Sequence, residues 1–282
     1  MITGMPRIAI ASADLPNMVT TFRDKLGLPV VELKDLPAVK TFGANLGMCV
    51  PIGGSNIELM APGDLTLPLS QSLQGFIDRR GEGLFALMLE AAVPDEEAEL
   101  LAGRGLQVLP TMADAFGRDV HPATTHGVLI RVYPIDSFEG HYPEPYDDPN
   151  PTRLTGIQKV IIAVKDINAG SDTYGVKFGM PVSEPVSDPD RGVRSVICTP
   201  PRGGLIELVT AEDTSKEFAA EIDRFIATRR EGMYAIILGT DDLQTTLDTL
   251  ATRGMTSAEV PGVDGTFELD PSATFGGRIW VA

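Results

Sequence analysis

The sequence has few of the residues that build metal clusters and disulfide frameworks. Only two cysteines and three histidines occur among its 282 residues, which leaves almost no material for zinc sites or covalent scaffolds. The longest uninterrupted apolar run, Leu84 to Leu89, is far shorter than the ~18 residues that a membrane-spanning helix requires. The amino-terminal segment also lacks the basic region and apolar stretch of a secretory signal. These absences predict a cytoplasmic protein.

The charge balance is strongly acidic. Lysine and arginine total 23 against 39 aspartate and glutamate residues, which gives a formal net charge of -16. A chain of this charge is repelled by phosphate backbones and by anionic lipid surfaces. We therefore expect neither nucleic acid nor a membrane as a partner, and a small molecule as the ligand. The sequence leaves a homodimer open.

A single pattern occurs twice along the chain. Residues 49–59 align without a gap with residues 198–208, and the shift of 149 positions persists to the carboxyl end. Such internal repetition indicates a duplicated fold. Between the copies, the segment 134–155 is rich in proline and acidic residues, which is typical of a solvated linker. The sequence predicts a first domain over 1–133, this linker, and a second domain over 156–282.

Each copy also shows an internally doubled pattern of secondary structure. Copy one begins with a short buried strand, an N-cap at Asp14, a helix with apolar residues at helical spacing, and a stop at Gly27. Three strand candidates follow, so the unit reads βαβββ, and the same order recurs along the chain. The candidate strands of the first copy are 7–12, 30–33, 40–50, 55–60, 84–91, 107–109 and 128–133, with helices at 15–26, 73–80 and 94–102. The predicted fold class is α+β, built from four βαβββ modules.

Three strings in this order resemble the vicinal oxygen chelate superfamily, which contains glyoxalases, bleomycin resistance proteins and extradiol dioxygenases. They are Asn-Ile-Glu-Leu-Met-Ala-Pro at 56–62, Arg-Arg-Gly-Glu-Gly at 79–83 and His-Gly-Val-Leu-Ile at 126–130. The strings resemble especially the methylmalonyl-CoA epimerase-like members of the superfamily. The resemblance implies that paired modules form two curved-sheet cups, and a divalent metal usually sits in such a cup.

The positions that hold metal in that superfamily are altered in both copies. They read Arg7, Glu58, Ala86 and Arg131 in copy one, and Lys159, Glu207, Ala235 and Trp280 in copy two. Arginine only donates hydrogen bonds and alanine has no donor atom for a metal, so a single carboxylate remains in each copy. We therefore predict that neither cup holds a metal and that the protein uses no cofactor.

The substituted first cup suggests a different chemistry. If the geometry of the superfamily holds, Arg7 and Arg131 face one interior with Glu58, and two guanidinium groups around one carboxylate leave a net positive charge. Such a site suits an anionic substrate, which the arginines would bind through paired hydrogen bonds. Glu58 is then the candidate general base. His126 and Tyr133 are further candidate proton donors near the last strand.

Other charged and aromatic residues complete the candidate binding surface. Alternation along its strand directs Glu90 toward the first cup. In copy two, Lys159, Glu207 and Trp280 occupy the equivalent cup, where the indole ring either plugs the space or walls a pocket for a flat ligand. A ligand-binding role for these residues has a structural alternative in both copies, because the same charged residues also suit internal ion-pair networks.

Paired arginines end the two helices that join the modules. Arg79 and Arg80 lie in copy one, and Arg229 and Arg230 lie in copy two. They could contact a phosphate-bearing substrate. The alternative is that they are solvated residues that complement the negative carboxyl ends of the helices.

These observations lead to a ranked set of functions. The first is a metal-independent enzyme, an isomerase, epimerase or lyase, that moves a proton next to a carbonyl or carboxylate of a small organic substrate. The second is a metal-free protein that binds and sequesters a small molecule. A metal-dependent dioxygenase or glyoxalase ranks third, because it requires ligands that this chain lacks.

Overall fold

The computed structural model describes residues 1–33, 37–112, 115–137 and 152–282. Most of the predicted linker, residues 138–151, lies outside the described residues. Within the described ranges, no helix combines the length and the apolar character that crossing a membrane demands.

Over the described residues, the first half of the chain contains a seven-stranded mixed sheet. Its strands are β1 (Ile2–Ala11), β2 (Val30–Glu32), β3 (Asn45–Cys49), β4 (Asn56–Ala61), β5 (Gly83–Ala91), β6 (Arg118–Val120) and β7 (Leu129–Pro134). Across the sheet they run in the order β2-β3-β4-β1-β5-β7-β6. Strand β1 pairs parallel with β4 and antiparallel with β5. The two modules of copy one therefore pair with each other.

An eight-stranded sheet repeats this arrangement in the second half. Its strands are β8 (Leu154–Ala163), β9 (Val186–Asp188), β10 (Val193–Cys198), β11 (Leu205–Ala211), β12 (Gly232–Thr240), β13 (Ser257–Glu259), β14 (Phe267–Leu269) and β15 (Ile279–Val281). Their order is β13-β14-β15-β12-β8-β11-β10-β9. Here β8 takes the place of β1, since it pairs parallel with β11 and antiparallel with β12.

Seven α-helices connect the strands. They are α1 (Leu15–Thr20), α2 (Pro37–Phe42), α3 (Pro68–Arg80), α4 (Pro94–Gly103), α5 (Ile167–Ser171), α6 (Glu217–Arg229) and α7 (Leu243–Thr252), counted over the described residues. Helices α1 and α5 each continue into one π-helical turn. The Asp14 and Asp166 side chains accept hydrogen bonds from backbone N–H groups of the first turns of α1 and α5, as the predicted N-cap at Asp14 requires.

Alternation along the strands divides the apolar residues between two faces of each sheet. On β1, Ile8 and Ile10 belong to a core cluster that contains residues of both halves, whereas Ala9 and Ala11 belong to a separate cluster on the other face. The second half has an equivalent separate cluster. The predicted α+β class is confirmed. The division into two domains stays a prediction, and the two halves share one apolar core.

Two local predictions differ from the structure. The segment predicted as a strand over 40–50 contains the end of α2 and then β3, because Gly43, with φ of 76°, ends the helix. The strand predicted over 107–109 is reduced to a single bridge between Val108 and Val120. Short apolar runs do not by themselves distinguish helix from strand.

Candidate functional site

The first cup is the face of the first sheet that carries Arg7, Glu58, Ala86 and Arg131. Arg7 on β1 and Glu58 on β4 lie on neighbouring strands, and the Nε atom of Arg7 donates to Oε2 of Glu58 at 3.1 Å. Both residues are only 2% exposed. The predicted proximity of these two side chains is present, and they form a buried ion pair.

A carboxylate outside the predicted set of site residues completes the charge balance of the first cup. Asp119 on β6 accepts two hydrogen bonds from Arg131 on β7, at 2.7 and 3.0 Å. With Glu58 opposite Arg7, the cup contains two cations and two carboxylates. Burial lowers the pKa of Arg131, but Tyr133 and the carboxylates outweigh it and raise that pKa above its ordinary value. The expectation of a net positive first cup is wrong.

Two other candidates of copy one lie next to this network. The guanidinium carbon of Arg7 lies 4.5 Å from the centre of the Tyr133 ring, a cation–π contact. Glu90 on β5 is buried and accepts from Arg202 of the second half at 3.0 Å and from the backbone N–H of Asp136 at 3.1 Å. Arg7 and Glu90 line one cavity of about 250 Å³.

His126 does not join the first cup. Its Nδ1 atom lies 3.1 Å from Oε1 of Glu231, and its Nε2 atom lies 3.2 Å from the hydroxyl of Thr173. Both partners belong to the second half of the chain. The structure therefore places this candidate proton donor outside the first cup, because the loop before β7 turns toward the contact between the halves.

The second cup repeats the balanced charges of the first. The Nζ atom of Lys159 donates to Glu207 at 3.1 Å, and Arg191 donates to the other oxygen of Glu207 at 2.7 Å. Arg191 also donates to Asp188 at 2.7 Å. These contacts match the structural alternative in which the charged residues pair internally.

Trp280 lies inside the second cup and is 1% exposed. Its ring contacts Phe218 of α6 and Tyr234 of β12, with centroid distances of 5.9 and 6.0 Å. The indole N–H has no hydrogen-bond partner among the described residues. The ring therefore fills the cup with apolar volume.

A helix covers each cup. Leu69 and Leu73 of α3 belong to the same buried cluster as Ala86 and Met88 of the first sheet. Ile222 of α6, with Phe218, occupies the equivalent place over the second sheet. The interiors of both cups are thus closed by apolar side chains of the helices that join the modules.

The residues of neither cup fit the metal that the superfamily usually holds there. Two of the four positions in copy one are arginines, and Ala86 offers no donor atom. In the described part of the chain, no three His, Cys, Asp or Glu side chains are grouped to hold a metal ion. We derive no step through a metal in either cup.

A larger cavity, of about 850 Å³, lies between the two halves; we call it the central cavity. It is bounded by the carboxyl-terminal halves of α3 and α6 and by the starts of β5 and β12. Its lining includes Phe76, Arg79, Arg80, Phe85, Glu221, Arg224, Phe225, Thr228, Arg229, Met233, Tyr234 and Arg278. The repeat contained a sign of this cavity, because Arg80 and Arg229 occupy equivalent positions in the two copies. No local sequence pattern, however, indicated that these two arginines line the same cavity.

Arg230 stands beside this cavity in an unusual backbone conformation. It ends α6 with φ of 66° and ψ of -173°, and Gly81 ends α3 at the equivalent position with φ of 77° and ψ of 178°. This combination of φ and ψ is essentially restricted to glycine, and it costs other residues about 1 to 3 kcal/mol of stability. The second copy therefore keeps an arginine where the backbone favours glycine.

Replacing Arg230 with glycine is expected to raise the free energy of unfolding by about 1 kcal/mol. The gain is the relieved strain, reduced by the larger entropy that glycine has in the unfolded chain. Chemical denaturation measures it. The matched control is Arg230→Ala, which removes the same charge but keeps the Cβ atom. If both variants gained the same free energy of unfolding, the gain would come from the lost charge, and the proposed backbone strain at Arg230 would be contradicted.

Comparisons with known proteins agree on the fold. Residues 158–272 match the sequence model of the glyoxalase/bleomycin resistance protein/dioxygenase superfamily. A triple mutant of 4-hydroxymandelate synthase from Streptomyces coelicolor superposes on 99% of this chain and 92% of its own, at 13% identity and a TM-score of 0.70. A fusion of a xylose isomerase-like TIM barrel with 4-hydroxyphenylpyruvate dioxygenase covers 100% of this chain and 49% of its own, at 12% identity and a TM-score of 0.66.

Other comparisons add no argument about activity. Methylmalonyl-CoA epimerase from Streptomyces coelicolor aligns with 47% of this chain and 94% of its own, at 24% identity and a TM-score of only 0.39. No curated protein sequence matches the chain. The resemblance predicted from the motifs is confirmed to this extent: residues 158–272 match the sequence model of that superfamily, and the whole chain shares the fold of 4-hydroxymandelate synthase.

Proposed function

We propose that this protein binds a small organic molecule in the central cavity and needs no metal to do so. The two cups are poor candidates for ligand binding, because their charges are paired and α3 and α6 close them. The central cavity has a volume of about 850 Å³, within the range of ligand pockets, roughly 300 to 1,000 Å³. This function is the sequestering alternative, located between the halves.

The observation that carries the proposal is the composition of the cavity lining. Phe76 and Phe225 occupy equivalent positions on α3 and α6, and Met233 adds apolar surface at the start of β12. The Phe76 and Phe85 rings meet edge to face at a centroid distance of 5.1 Å. Apolar walls with a few converging polar groups are the usual features of a small-molecule site.

A blocking substitution tests this function. Thr228 is exposed on α6 and lines the cavity, so Thr228→Trp is expected to fill part of it. The probe is 1-anilinonaphthalene-8-sulfonate, an aromatic anion whose fluorescence rises in apolar sites. We expect saturable binding by the wild-type protein in the presence of EDTA, and affinity at least about tenfold weaker in Thr228→Trp, since the added indole occupies the ligand's volume.

The matched control is Ala227→Trp, which places the same ring one residue away on α6, outside the cavity lining. This variant is expected to bind the probe as the wild-type protein does. If both tryptophan variants bind equally well, the probe occupies another surface and the proposal fails. Loss of binding on adding EDTA would contradict the metal-independent part.

A second candidate function retains the proton transfer predicted from the sequence. It is favoured by one observation: Arg7, the partner of Glu58, lines the 250 Å³ cavity together with Glu90. A substrate carboxylate bound to Arg7 would release Glu58 to accept a proton in an isomerisation or elimination. The test is exchange of the C3 protons of a simple 2-oxo acid into D₂O. Catalysis that survives Glu58→Gln would exclude Glu58 as the base.

A further inference from the structure

Four arginines line the central cavity, and the charge of one of them, Arg224, interacts with the carboxylate of Glu221. They are Arg79 and Arg80 of α3 and Arg224 and Arg229 of α6. Within the described residues, no ion pair of 4.0 Å or less involves any of them. Arg278, by contrast, is paired with Glu221 and Glu268, so it adds little net charge. The cavity is therefore cationic within a chain whose net charge is -16.

Arg80 and Arg229 each reach across the boundary between the halves. A Cβ atom on Gly232 would lie 3.4 Å from Nη1 of Arg80, and one on Gly81 would lie 3.9 Å from Nη2 of Arg229. Each of the two guanidinium groups thus reaches the backbone of the opposite half. This reciprocal arrangement follows the repeat, because Arg80 and Arg229 are equivalent residues of the two copies.

This convergence is unfavourable without a ligand. Burial, together with the charges of Arg230, Arg229 and Arg79, lowers the pKa of Arg80. Complementing the carboxyl end of a helix explains basic residues at one helix end, but it does not require two helix ends to bring their arginines together. Arg80 is partly buried, whereas Arg79, Arg224 and Arg229 are exposed to solvent. A cleft lined by charges of one sign attracts a ligand of opposite charge.

Resting on the function proposed above, we propose that the ligand of the central cavity is an organic phosphate or diphosphate ester, held between Arg80 and Arg229. A tetrahedral phosphate accepts hydrogen bonds from guanidinium groups that approach from different directions, and arginine binds it in a bidentate manner. The apolar walls formed by Phe76 and Phe225 then contact the organic part. The cavity has room for both portions.

The test is calorimetric titration of the full chain with inorganic pyrophosphate at constant ionic strength. The double variant Arg80→Gln/Arg229→Gln is expected to bind pyrophosphate at least about a hundredfold more weakly, since each lost charge-assisted contact costs about tenfold or more. The charge-matched control Arg23→Gln/Arg194→Gln changes two arginines outside the cavity lining and is expected to bind as the wild-type protein does. The cavity variant is expected to unfold at the wild-type temperature or above, because it removes like-charge repulsion.

Several results would overturn this assignment. They are no pyrophosphate binding by the wild-type protein, an equal loss in both double variants, or binding of citrate as tight as that of pyrophosphate, which would indicate a polycarboxylate. The two proposals fail separately. Suppose that pyrophosphate binding depends on Arg80 and Arg229, but Thr228→Trp binds the aromatic probe as tightly as the wild-type protein does. The cavity would then be an anion site, and the proposed binding of an organic ligand would be wrong. If instead Thr228→Trp weakens probe binding but pyrophosphate binding does not depend on Arg80 and Arg229, only the phosphate assignment would be wrong.

Discussion

Replacing Glu58 with glutamine is expected to lower the free energy of unfolding by about 3 to 5 kcal/mol. Arg7 and Glu58 are each 2% exposed, so the substitution leaves the guanidinium charge buried without its carboxylate 3.1 Å away. Removing one member of a buried ion pair has a cost of about this size. Urea denaturation followed by circular dichroism measures the change. Glu99→Gln, an exposed residue on α4, is the charge-matched control and should change stability by less than about 0.5 kcal/mol.

A double variant distinguishes a structural pair from a catalytic base. Arg7→Met/Glu58→Leu replaces both charges with apolar side chains of similar volume, and such replacements are often neutral or stabilising. We expect most of the lost stability to return. A loss below about 1 kcal/mol in Glu58→Gln would contradict a tightly buried pair. It would also strengthen the second candidate function, in which substrate separates Glu58 from Arg7.

Replacing Gly127 with alanine is expected to lower the free energy of unfolding by about 2 to 5 kcal/mol. Gly127 has φ of 78°, a conformation that costs other residues about 1 to 2 kcal/mol. A Cβ atom there would also overlap the backbone carbonyl oxygen of Glu231 in the second half, and overpacking adds about 1 to 3 kcal/mol. The midpoint of thermal unfolding and urea denaturation both report the loss.

The control for Gly127 is another glycine with the same backbone angle. Gly254 has φ of 76°, and a Cβ atom there would meet nothing within 4 Å. Gly254→Ala should therefore show only the conformational cost. Gly276→Ala should behave like Gly127→Ala, because its Cβ atom would overlap the carbonyl oxygen of Glu82. Equal losses at Gly127 and Gly254 would mean that the halves do not meet at Gly127.

These glycines also bear on the central cavity. Gly127 and Gly276 both line it, and each brings a loop of one half against the start of a strand in the other. The contact of His126 with Glu231 lies at the same boundary. Substitutions at this boundary are therefore expected to change the shape of the cavity as well as the stability of the chain.

The sequence by itself determined the duplicated α+β fold, and it places arginine and alanine at positions where the resemblance implies metal ligands. The repeat, the period of the strands and the Asp14 cap can be seen in the sequence itself, without knowing which distant segments pack together. That the side chains of Arg7, Ala86 and Arg131 offer no atom suited to bind a metal is likewise a fact of residue chemistry. Both could be predicted because neither depends on which distant segments meet.

Only the tertiary structure decided which charges are paired and which are left for a ligand. Asp119 neutralises Arg131 because β6 and β7 pair in register, with Asp119 opposite Arg131. His126 lies outside the first cup because its loop contacts the second half of the chain. The arginines of α3 and α6 share one cavity because the two halves pack with these helix ends together. The charge balance of a site is a sum over residues that are distant in sequence, and it is therefore fixed only when the chain has folded.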